Sequence, residues 1–261
     1  MPPELSPQDT AKNAAAVRAA DFVETGMKVG LGTGSTAAFL VRELGRRQRE
    51  DNVRITGVPT SERTADLARA EGIAITTLDA AGWLDLTIDG ADEFDPAFNL
   101  IKGGGGALLR EKIVATASDE MIVIADAGKA VETLGQFPLP IEVFGFGLET
   151  TKRLLKDTLS SLDVSGHEIT QRMQGGAPFV TDEGNHILDL HLGRIANPRQ
   201  VAIVLNQLAG VVDNGLFIDV CDMVIVGHED GRTEVRDLPT DTPQDGAKSN
   251  VPQNLFADTQ G

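Results

Sequence analysis

The sequence predicts an α/β fold: a Rossmann-like parallel sheet with helices on both faces, plus a smaller inserted α+β domain of ferredoxin-like type. Three observations support this prediction. Short apolar segments alternate with helical segments through the first half of the chain, which is typical of parallel sheets buried on both faces. Glycine-rich or acidic motifs follow several of these segments, at the carboxyl ends where such sheets bind ligands. After Gly135 the order of elements changes to βαββαβ.

Apolar periodicity and turn residues divide the first half of the chain into strands and helices. Residues 1–10 are polar and proline-rich, so we expect a loose segment there. The strands are expected at residues 28–32, 53–58, 73–78, 84–88 and 121–125. The helices are expected at residues 11–24, 36–47, 61–71 and 107–118.

The second half of the chain predicts the smaller domain. We expect strands at residues 141–144, 167–173, 179–192 (with a turn at 182–185) and 211–218, and helices at 149–162 and 198–208. Asn197 is the expected N-cap of the last helix, with Pro198 at its first position. An apolar strand at 223–227 is expected to return to the first sheet. These elements predict a larger domain at residues 1–136 and 217–237, a small α+β domain at 137–216, and a disordered acidic tail at 238–261.

The composition argues against several classes of protein. Of the 261 residues, 41% are hydrophobic, which is typical of a folded chain. No apolar run approaches the roughly 20 residues that span a bilayer, and the N-terminus lacks the pattern of a signal peptide, so we expect a cytoplasmic protein. Cys221 is the single cysteine and no two histidines are spaced i,i+4, so we expect no disulfide and no metal site.

The charge is strongly acidic. Asp and Glu number 39 against 23 Lys and Arg, which gives a formal net charge of −16. Such a surface repels nucleic acids and anionic membranes, so we expect neither as a partner. The excess of negative charge fits either an ordinary acidic protein or one adapted to high salt. Binding of an anionic ligand would require a local region of positive charge.

The first motif is GTGST at residues 32–36, between a predicted strand and a predicted helix. A glycine-rich turn here lets backbone N–H groups and a helix N-terminus face an anion. The pattern GxGxxA from Gly32 to Ala37 also fits a loose dinucleotide-binding motif. However, the next strand ends at Val58 without the acidic residue that would hold a ribose. A phosphate monoester site is therefore favoured, and a turn without a ligand remains the plain alternative.

Two further motifs follow later strands. DGADE at residues 89–93 places three carboxylates in five residues, and such crowding raises at least one pKa towards the range of a proton shuttle. A polar loop with a capping aspartate is the alternative. Lys102 precedes four glycines at 103–106, which suits a backbone that closely approaches a ligand, with the lysine beside an oxyanion. A flexible linker is the alternative there. Taken alone, Glu111 belongs to an ordinary exposed helix face, and Lys129 to the surface.

In this order and at these strand ends, the motifs resemble the type A ribose-5-phosphate isomerase family. The resembling segments are GTGST at 32–36, DGADE at 89–93, KGGG at 102–105, REK at 110–112, ADAxK at 125–129, FPLPIEV at 137–143 and GNHILD at 184–189. The resemblance extends from about residue 12 to residue 237. Gln136, where many relatives have a basic residue, is a departure, and the 24 residues after Asp237 have no recognised counterpart.

The resemblance implies an aldose–ketose isomerase of the pentose phosphate pathway that interconverts ribose 5-phosphate and ribulose 5-phosphate through an enediolate, without a cofactor. It implies that Glu111 is the proton-transferring base, that Asp89 is an acid/base residue for the sugar oxygens, and that Lys102 stabilises the enediolate. Lys12 is a further candidate for the phosphate. The implied substrate-binding residues are Thr33, Gly34, Ser35, Thr36, Asp89, Gly90, Ala91, Asp92, Lys102, Gly103, Gly104, Gly105 and Lys129.

The resemblance also implies a homodimer or homotetramer, assembled through the small domain. Three other functions are considered: a related sugar-phosphate isomerase or deaminase, a sugar-phosphate-sensing domain, and a nicotinamide-dependent dehydrogenase. A sensor would carry a DNA-binding helix-turn-helix ahead of this domain, but only about 27 residues precede the first predicted strand. A dehydrogenase would need the acidic residue that is missing after the second strand.

Overall fold

The computed structural model describes residues 5–238, so the predicted tail lies outside the described residues apart from Leu238. The strands in chain order are β1 (Lys28–Leu31), β2 (Thr56–Pro59), β3 (Ala74–Ile75), β4 (Leu86–Gly90), β5 (Glu93–Phe94), β6 (Leu100–Ile101), β7 (Met121–Asp126), β8 (Leu139–Val143), β9 (Glu168–Gln171), β10 (Met173–Gln174), β11 (Ala177–Pro178), β12 (His186–His191), β13 (Val211–Asn214), β14 (Leu216–Phe217), β15 (Met223–Gly227) and β16 (Thr233–Asp237). The α-helices are α1 (Pro7–Ala20), α2 (Ser35–Glu50), α3 (Glu62–Ala70), α4 (Leu78–Ala81), α5 (Leu108–Thr116), α6 (Leu148–Leu159) and α7 (Pro198–Asn206). A short 3₁₀ helix, Ala127–Lys129, follows β7.

The largest sheet has seven strands in the order β16-β15-β7-β4-β1-β2-β3. Its neighbouring strands are parallel, except for β15 and β16, which pair antiparallel. The chain runs outward from β1 through β2 to β3, and then returns to place β4 on the other side of β1. The strand order therefore reverses between β1 and β4, and ligands bind in the crevice outside the carboxyl ends at such a point. The motif at 32–36 follows β1, and the motif at 89–93 begins with the last two residues of β4.

Both faces of this sheet are buried, because alternate residues of its strands enter two different cores. Ile122 and Ile124 of β7 pack with residues of α1 and α2, whereas Val123 and Ala125 pack with Phe94 and the other aromatic residues on the opposite face. This explains why the strands are continuously apolar rather than alternating. The predicted Rossmann-like sheet with helices is confirmed.

Helix α1 lies unusually close to the sheet. Five alanines of this helix are fully or almost fully buried, and a Cβ added to Gly227 of β15 would lie 1.9 Å from the carbonyl oxygen of Ala11. Small side chains on both elements therefore permit the contact. As a result, the first turns of α1 reach the carboxyl edge of the sheet.

A second sheet has four antiparallel strands in the order β13-β8-β12-β9. Helix α6 connects β8 to β9, and helix α7 connects β12 to β13, which gives the predicted βαββαβ order. Its apolar core includes Ile141, Leu155, Leu188 and Leu205, all fully buried. Asn197 caps α7 by accepting a hydrogen bond from the backbone N–H of Gln200, as predicted. The predicted ferredoxin-like arrangement is confirmed, while the boundaries of the domains remain a prediction.

A third sheet joins segments that precede and follow the small domain. It contains β5, β6 and β14, and the order is β14-β6-β5. The sequence does not predict β5 and β6, which have only two residues each, and it predicts β14 only as the end of a longer strand at 211–218. This sheet holds the backbone immediately before Lys102.

Several predicted boundaries are wrong. Helix α1 begins at Pro7 instead of residue 11, because Ser6 caps it with a hydrogen bond from Asp9, and it ends at Ala20 instead of residue 24. The predicted strand at 73–78 is only two residues long, because Thr77 caps the short helix α4. The predicted strand at 179–192 is reduced to β12, and the one at 211–218 is divided between β13 and β14. Strand β16 is not predicted.

Within the described part of the chain, no helix combines the length and apolarity that crossing a membrane requires.

Candidate active site

Three ionisable side chains meet below the crevice between β1 and β4. The ammonium Nζ of Lys102 lies 2.9 Å from Asp89 Oδ2 and 3.4 Å from Glu111 Oε2, and it donates a hydrogen bond to the carbonyl of Gly90. All three side chains are at most 3% exposed. Asp89 Oδ2 and Glu111 Oε2 have no well-oriented hydrogen-bond partner among the described residues. The site is therefore a buried cation that forms ion pairs with one oxygen of each of two buried carboxylates.

Each member of this group comes from a different element. Asp89 is in β4, Lys102 directly follows β6, and Glu111 is in the first turn of α5. The backbone N–H of Lys102 donates to the carbonyl of Gly215, at 2.9 Å, which ties the lysine to the chain beside β14. The predicted grouping of these residues at one edge of the sheet matches their placement in the structure.

Burial has opposite effects on the acids and on the lysine. It raises the pKa of Glu111 to about 8; the Lys102 charge opposes this rise, and the charges of Asp89 and Asp92 add to it. Burial also raises the pKa of Asp89, against the charge of Lys102 and two backbone hydrogen bonds. For Lys102, burial lowers the pKa, but the charges of Asp89 and Glu111 outweigh burial and raise it. The lysine therefore stays charged, while Glu111 can exchange a proton near neutral pH.

The motif at 32–36 forms the turn from β1 into α2. A Cβ at Gly32 would lie 2.0 Å from Asp89 Oδ1, so only glycine lets the two strand ends approach this closely. Asp89 Oδ1 accepts the backbone N–H of Thr33 at 3.0 Å and that of Gly90 at 2.7 Å. Gly34 has a φ of +118°, and α2 begins directly after it at Ser35. The free N–H groups of the first turn of α2 thus lie at the crevice.

The hydroxyl of Thr33 belongs to a cluster of buried hydroxyl groups. Its Oγ1 lies 2.8 Å from the hydroxyls of Thr60 and Ser61 and 3.3 Å from that of Thr64. All four residues are buried, and the hydroxyl of Thr64 donates to the carbonyl of Gly32. This cluster holds the turn after β1 in place. The donors that remain for a ligand are the backbone groups together with the side chains of Ser35 and Thr36.

The acidic motif at 89–93 divides into three different environments. Asp89 is fully buried, whereas Asp92 lies at the rim and accepts the backbone N–H of Gly104 at 2.7 Å. Glu93 points away and accepts the backbone N–H groups of Gly135 and Phe137. Of the three crowded carboxylates, Glu93 therefore has a structural role, accepting two backbone N–H groups away from the crevice.

The glycine run follows Lys102 and forms one wall of the crevice. Gly103 and Gly106 have φ values of +105° and +81°, which side-chain-bearing residues rarely adopt. A Cβ at Gly106 would lie 2.3 Å from the ring of Phe179, which comes from the small domain. The run is therefore a packed wall, and the alternative of a flexible linker is wrong.

Most of the predicted site residues line a single cavity. Its lining consists of Gln8, Lys12, Thr33, Gly34, Ser35, Thr36, Gly90, Ala91, Asp92, Lys102, Gly103, Gly105, Glu111 and Lys129. Two of the predicted residues are absent from this lining: Asp89 lies fully buried behind Lys102, and Gly104 has its N–H bonded to Asp92. Lys12, Lys102 and Lys129 supply the local positive charge that an anionic ligand requires on an acidic protein.

Sequence reasoning missed two residues near this cavity. Gln8 is in the first turn of α1, and the pattern Ser6-Pro7, an N-cap followed by proline at the first helical position, is a signal that could have placed it. Arg172 donates hydrogen bonds to the carbonyls of Gly103 and Gly104 from the small sheet. Nothing local in the sequence indicates this contact, because about 70 residues separate the two segments.

This arrangement suits proton transfer at a carbon next to a carbonyl group. A carboxyl with a raised pKa can remove such a proton, and a buried ammonium ion stabilises the oxyanion that forms. The N-terminus of α2 and the two lysines at the cavity edge suit a phosphate. Among the described residues, no group of three His, Cys, Asp or Glu side chains is placed to hold a metal ion.

Comparisons with known proteins agree with this chemistry. The family model described as ribose 5-phosphate isomerase A (phosphoriboisomerase A) matches residues 56–231. Ribose-5-phosphate isomerase A of Ruegeria sp. (strain TM1040) is 65% identical over 259 residues, which are 99% of each chain. That alignment extends beyond Asp237, so the predicted lack of a counterpart for the last residues is wrong.

Two solved structures share the fold. Ribose 5-phosphate isomerase A from Methanocaldococcus jannaschii has a TM-score of 0.81 and 37% identity, covering 89% of this chain and all of the other. A ribose-5-phosphate isomerase in complex with phospho-erythronic acid has a TM-score of 0.80 and 39% identity, covering 87% of this chain and 97% of the other.

Proposed function

The chain belongs to the ribose 5-phosphate isomerase A family and is an isomerase of ribose 5-phosphate and ribulose 5-phosphate, and from that premise we propose how its residues carry the reaction. Glu111 is the proton-transferring base, Lys102 stabilises the enediolate, and Asp89 moves protons between the sugar oxygens. The observation that carries this proposal is the buried Lys102 ammonium between the two carboxylates.

The reaction begins with the open-chain aldose. The Glu111 carboxylate removes the proton from C2, and the electron pair of that C–H bond forms the C1–C2 double bond. The former carbonyl electrons move to O1, which the positive charge of Lys102 stabilises. Glu111 then returns the proton to C1 as the O2–H proton is lost and the carbonyl forms at C2. Overall, one proton moves from C2 to C1 and one proton moves from O2 to O1. The reaction is therefore balanced without a redox partner.

Asp89 serves the oxygen atoms rather than the carbon. Its Oδ1 is occupied by two backbone N–H groups, which leaves Oδ2, 2.9 Å from Lys102 Nζ, for proton exchange. Since burial raises its pKa, Asp89 can hold a proton to deliver to O1 and accept one from O2. The same exchange assists opening of the furanose ring, because ring opening moves a proton between two oxygens.

The phosphate is proposed to lie at the N-terminus of α2. Ser35, Thr36 and the N–H groups of this turn supply donors, and Lys12 and Lys129, which line the same cavity, supply positive charge. One relative was solved in complex with phospho-erythronic acid, a molecule that carries a phosphate at one end and a planar carboxylate at the other. A planar carboxylate resembles the planar enediolate that we place beside Lys102 and Glu111.

The test is Glu111→Gln, which keeps the size of the side chain but removes the base. We expect conversion of ribose 5-phosphate to fall by about 10²–10⁴-fold, the usual contribution of a general base, in a coupled ribulose 5-phosphate assay. Glu149→Gln, an exposed substitution in α6, is the matched control and leaves kcat unchanged. Near-full turnover by Glu111→Gln would show that another residue is the base.

The family match favours this isomerase over the other functions considered from the sequence, which are a related sugar-phosphate isomerase or deaminase and a sugar-phosphate-sensing domain. A panel of pentose and hexose phosphates separates them: the proposed reaction requires turnover of the pentose phosphate, whereas turnover of hexose phosphates alone favours the related enzymes. We further propose a homodimer or homotetramer and a cytoplasmic location. Sedimentation analysis of the purified chain tests the assembly.

A further inference from the structure

We propose that Arg172 is a positioning residue for the isomerase reaction: held by Asp189, its guanidinium fixes the peptide planes of the glycine run that faces the substrate. The inference rests on the proposed function of the crevice, since it concerns the same site. It gives a role in the reaction to a residue that directly follows β9 of the small sheet. None of Asp89, Lys102 and Glu111 comes from that sheet.

Arg172 lies between β9 and β10 and is clamped from the side of the small sheet. Its Nε donates to Asp189 Oδ2 at 2.9 Å, and its Nη2 donates to the other carboxylate oxygen. The side chains are 15% and 16% exposed. Two parallel hydrogen bonds to one carboxylate fix both the position and the plane of a guanidinium. Asp189 itself is in β12, an inner strand of the sheet, so the clamp is attached to a rigid element.

The remaining nitrogen of Arg172 reaches the glycine run. Its Nη1 donates to the carbonyl of Gly103 at 2.7 Å and to that of Gly104 at 3.2 Å. In a trans peptide the C=O and the following N–H point in opposite directions. The N–H of Gly104 therefore points away from Arg172, and it donates to Asp92 Oδ2 at 2.7 Å. A single peptide group thus connects Arg172 to Asp92, a residue that lines the cavity.

The glycine run requires such an external anchor. Glycine loses more conformational freedom on folding than any other residue, and these glycines have no side chains with which to hold themselves. Gly103 and Gly105 line the cavity directly, so rotation of their peptide planes would change the surface that the substrate meets. Phe179 packs on Gly106, but an aromatic ring cannot hold a carbonyl group. Arg172, which directly follows β9, fixes the carbonyls through its hydrogen bonds.

A lysine cannot replace this arginine. The guanidinium donates to the carboxylate through two nitrogens and to the carbonyls through the third, whereas an ammonium is a single point of charge. We therefore expect both Arg172→Gln and Arg172→Lys to lower kcat/KM for ribose 5-phosphate by about tenfold or more, as misplacement near the reacting atoms does. Arg194→Gln is the matched control: it breaks an exposed ion pair with Asp163 that makes no contact with the glycine run, and we expect kcat/KM to stay unchanged.

A double-mutant cycle with Asp92→Asn separates positioning from a general loss of stability. If Arg172 acts through the peptide that orients Asp92, Arg172→Gln costs much less in the Asp92→Asn background than in the wild type. The proposal would be overturned if the double variant lost kcat/KM by the product of the two single-variant factors. A wild-type kcat/KM in Arg172→Lys would also overturn it. Melting temperatures of all variants identify any that are unfolded at the assay temperature. A wild-type protein inactive on ribose 5-phosphate would instead count against the proposed function.

Discussion

At the scale of single residues, the burial of Glu111 determines how activity depends on pH. Burial raises its pKa to about 8, and the base in the proposed reaction must be unprotonated. We therefore expect kcat/KM for ribose 5-phosphate to increase about tenfold per pH unit below that value and to level off above it. A pH profile of kcat/KM, extended across the neutral range, measures the inflection. A profile that is flat from mildly acidic to alkaline pH would contradict the assignment.

Asp92→Asn tests the cause of this pKa. The negative charge of Asp92 raises the pKa of Glu111, so its removal shifts the inflection in kcat/KM to lower pH, whatever happens to the maximum rate. Asp66→Asn is the control, because Asp66 is highly exposed and pairs only with Arg69 on α3. A shift to higher pH, or an equal shift in both variants, would be inconsistent with a direct electrostatic effect.

The roles of single residues were only partly predictable. Asp89, Lys102 and Glu111 follow from their motifs through the family resemblance, but the motifs do not show that Glu111 is buried. Its neighbour Arg110 points outward and pairs with Glu62 and other acids. Arg110 and Glu111 are adjacent in the sequence, yet the first is partly exposed and the second is buried. The packing of helix α5 determines this difference. Arg172 carries no local signal, because its partners are distant in the chain.

At the scale of elements, the close approach of β1 and β4 is the constraint most open to experiment. We expect Gly32→Ala to displace Asp89, because the new Cβ would lie 2.0 Å from Oδ1 and 2.6 Å from the backbone Cα of that residue. Overpacking of this kind costs about 1–3 kcal/mol, and kcat falls as Asp89 moves from Lys102. Urea unfolding and steady-state kinetics measure the two effects.

Gly45→Ala in α2 is the matched control for Gly32→Ala. Its Cβ would lie 2.7 Å from Cβ of Glu71, so it creates a milder clash in a helix outside the crevice. We expect a change in the free energy of unfolding with kcat unchanged. A loss of kcat in Gly45→Ala equal to that in Gly32→Ala would mean that activity follows stability alone.

The elements themselves differ in how clearly the sequence predicts them. The buried parallel strands have continuous apolar runs, so all of the first five predicted strands correspond to strands of the sheet. The two-residue strands β5 and β6 have no periodicity to detect, and the pairing of β6 with β14 joins distant segments. The start of α1 was predictable from Ser6 and Pro7, because capping chemistry is local.

At the scale of the whole molecule, the net charge of −16 predicts a stability that depends on salt. Self-repulsion of the acidic surface destabilises the folded state, and added ions screen it within a Debye length of roughly 10 Å at 0.1 M. We expect the melting temperature to rise with salt concentration. NaCl and KCl at equal ionic strength are compared, since screening predicts the same shift for both. An unchanged melting temperature up to molar salt would exclude a salt-adapted surface.

The overall arrangement was predictable in its two main sheets but not in how they meet. Alternation of elements predicts the parallel sheet, and the βαββαβ order predicts the small one. Contacts between the two, such as Phe179 on Gly106 and Asp182 with the backbone N–H of Glu62, join segments that nothing in the sequence relates. Such contacts depend on the relative placement of already folded units.

The three-stranded sheet β5-β6-β14 also has a consequence for the order in which the active protein is made. During synthesis, Asp89 and Glu111 leave the ribosome early, and chains generally fold from the N-terminus. The backbone of Lys102, however, is fixed by Gly215, and β6 pairs with β14 across more than 110 intervening residues. Closing such a long loop is slow. The backbone of Lys102 therefore cannot be fixed in this way before Gly215 has left the ribosome, so we expect enzymatic activity to appear only late in folding.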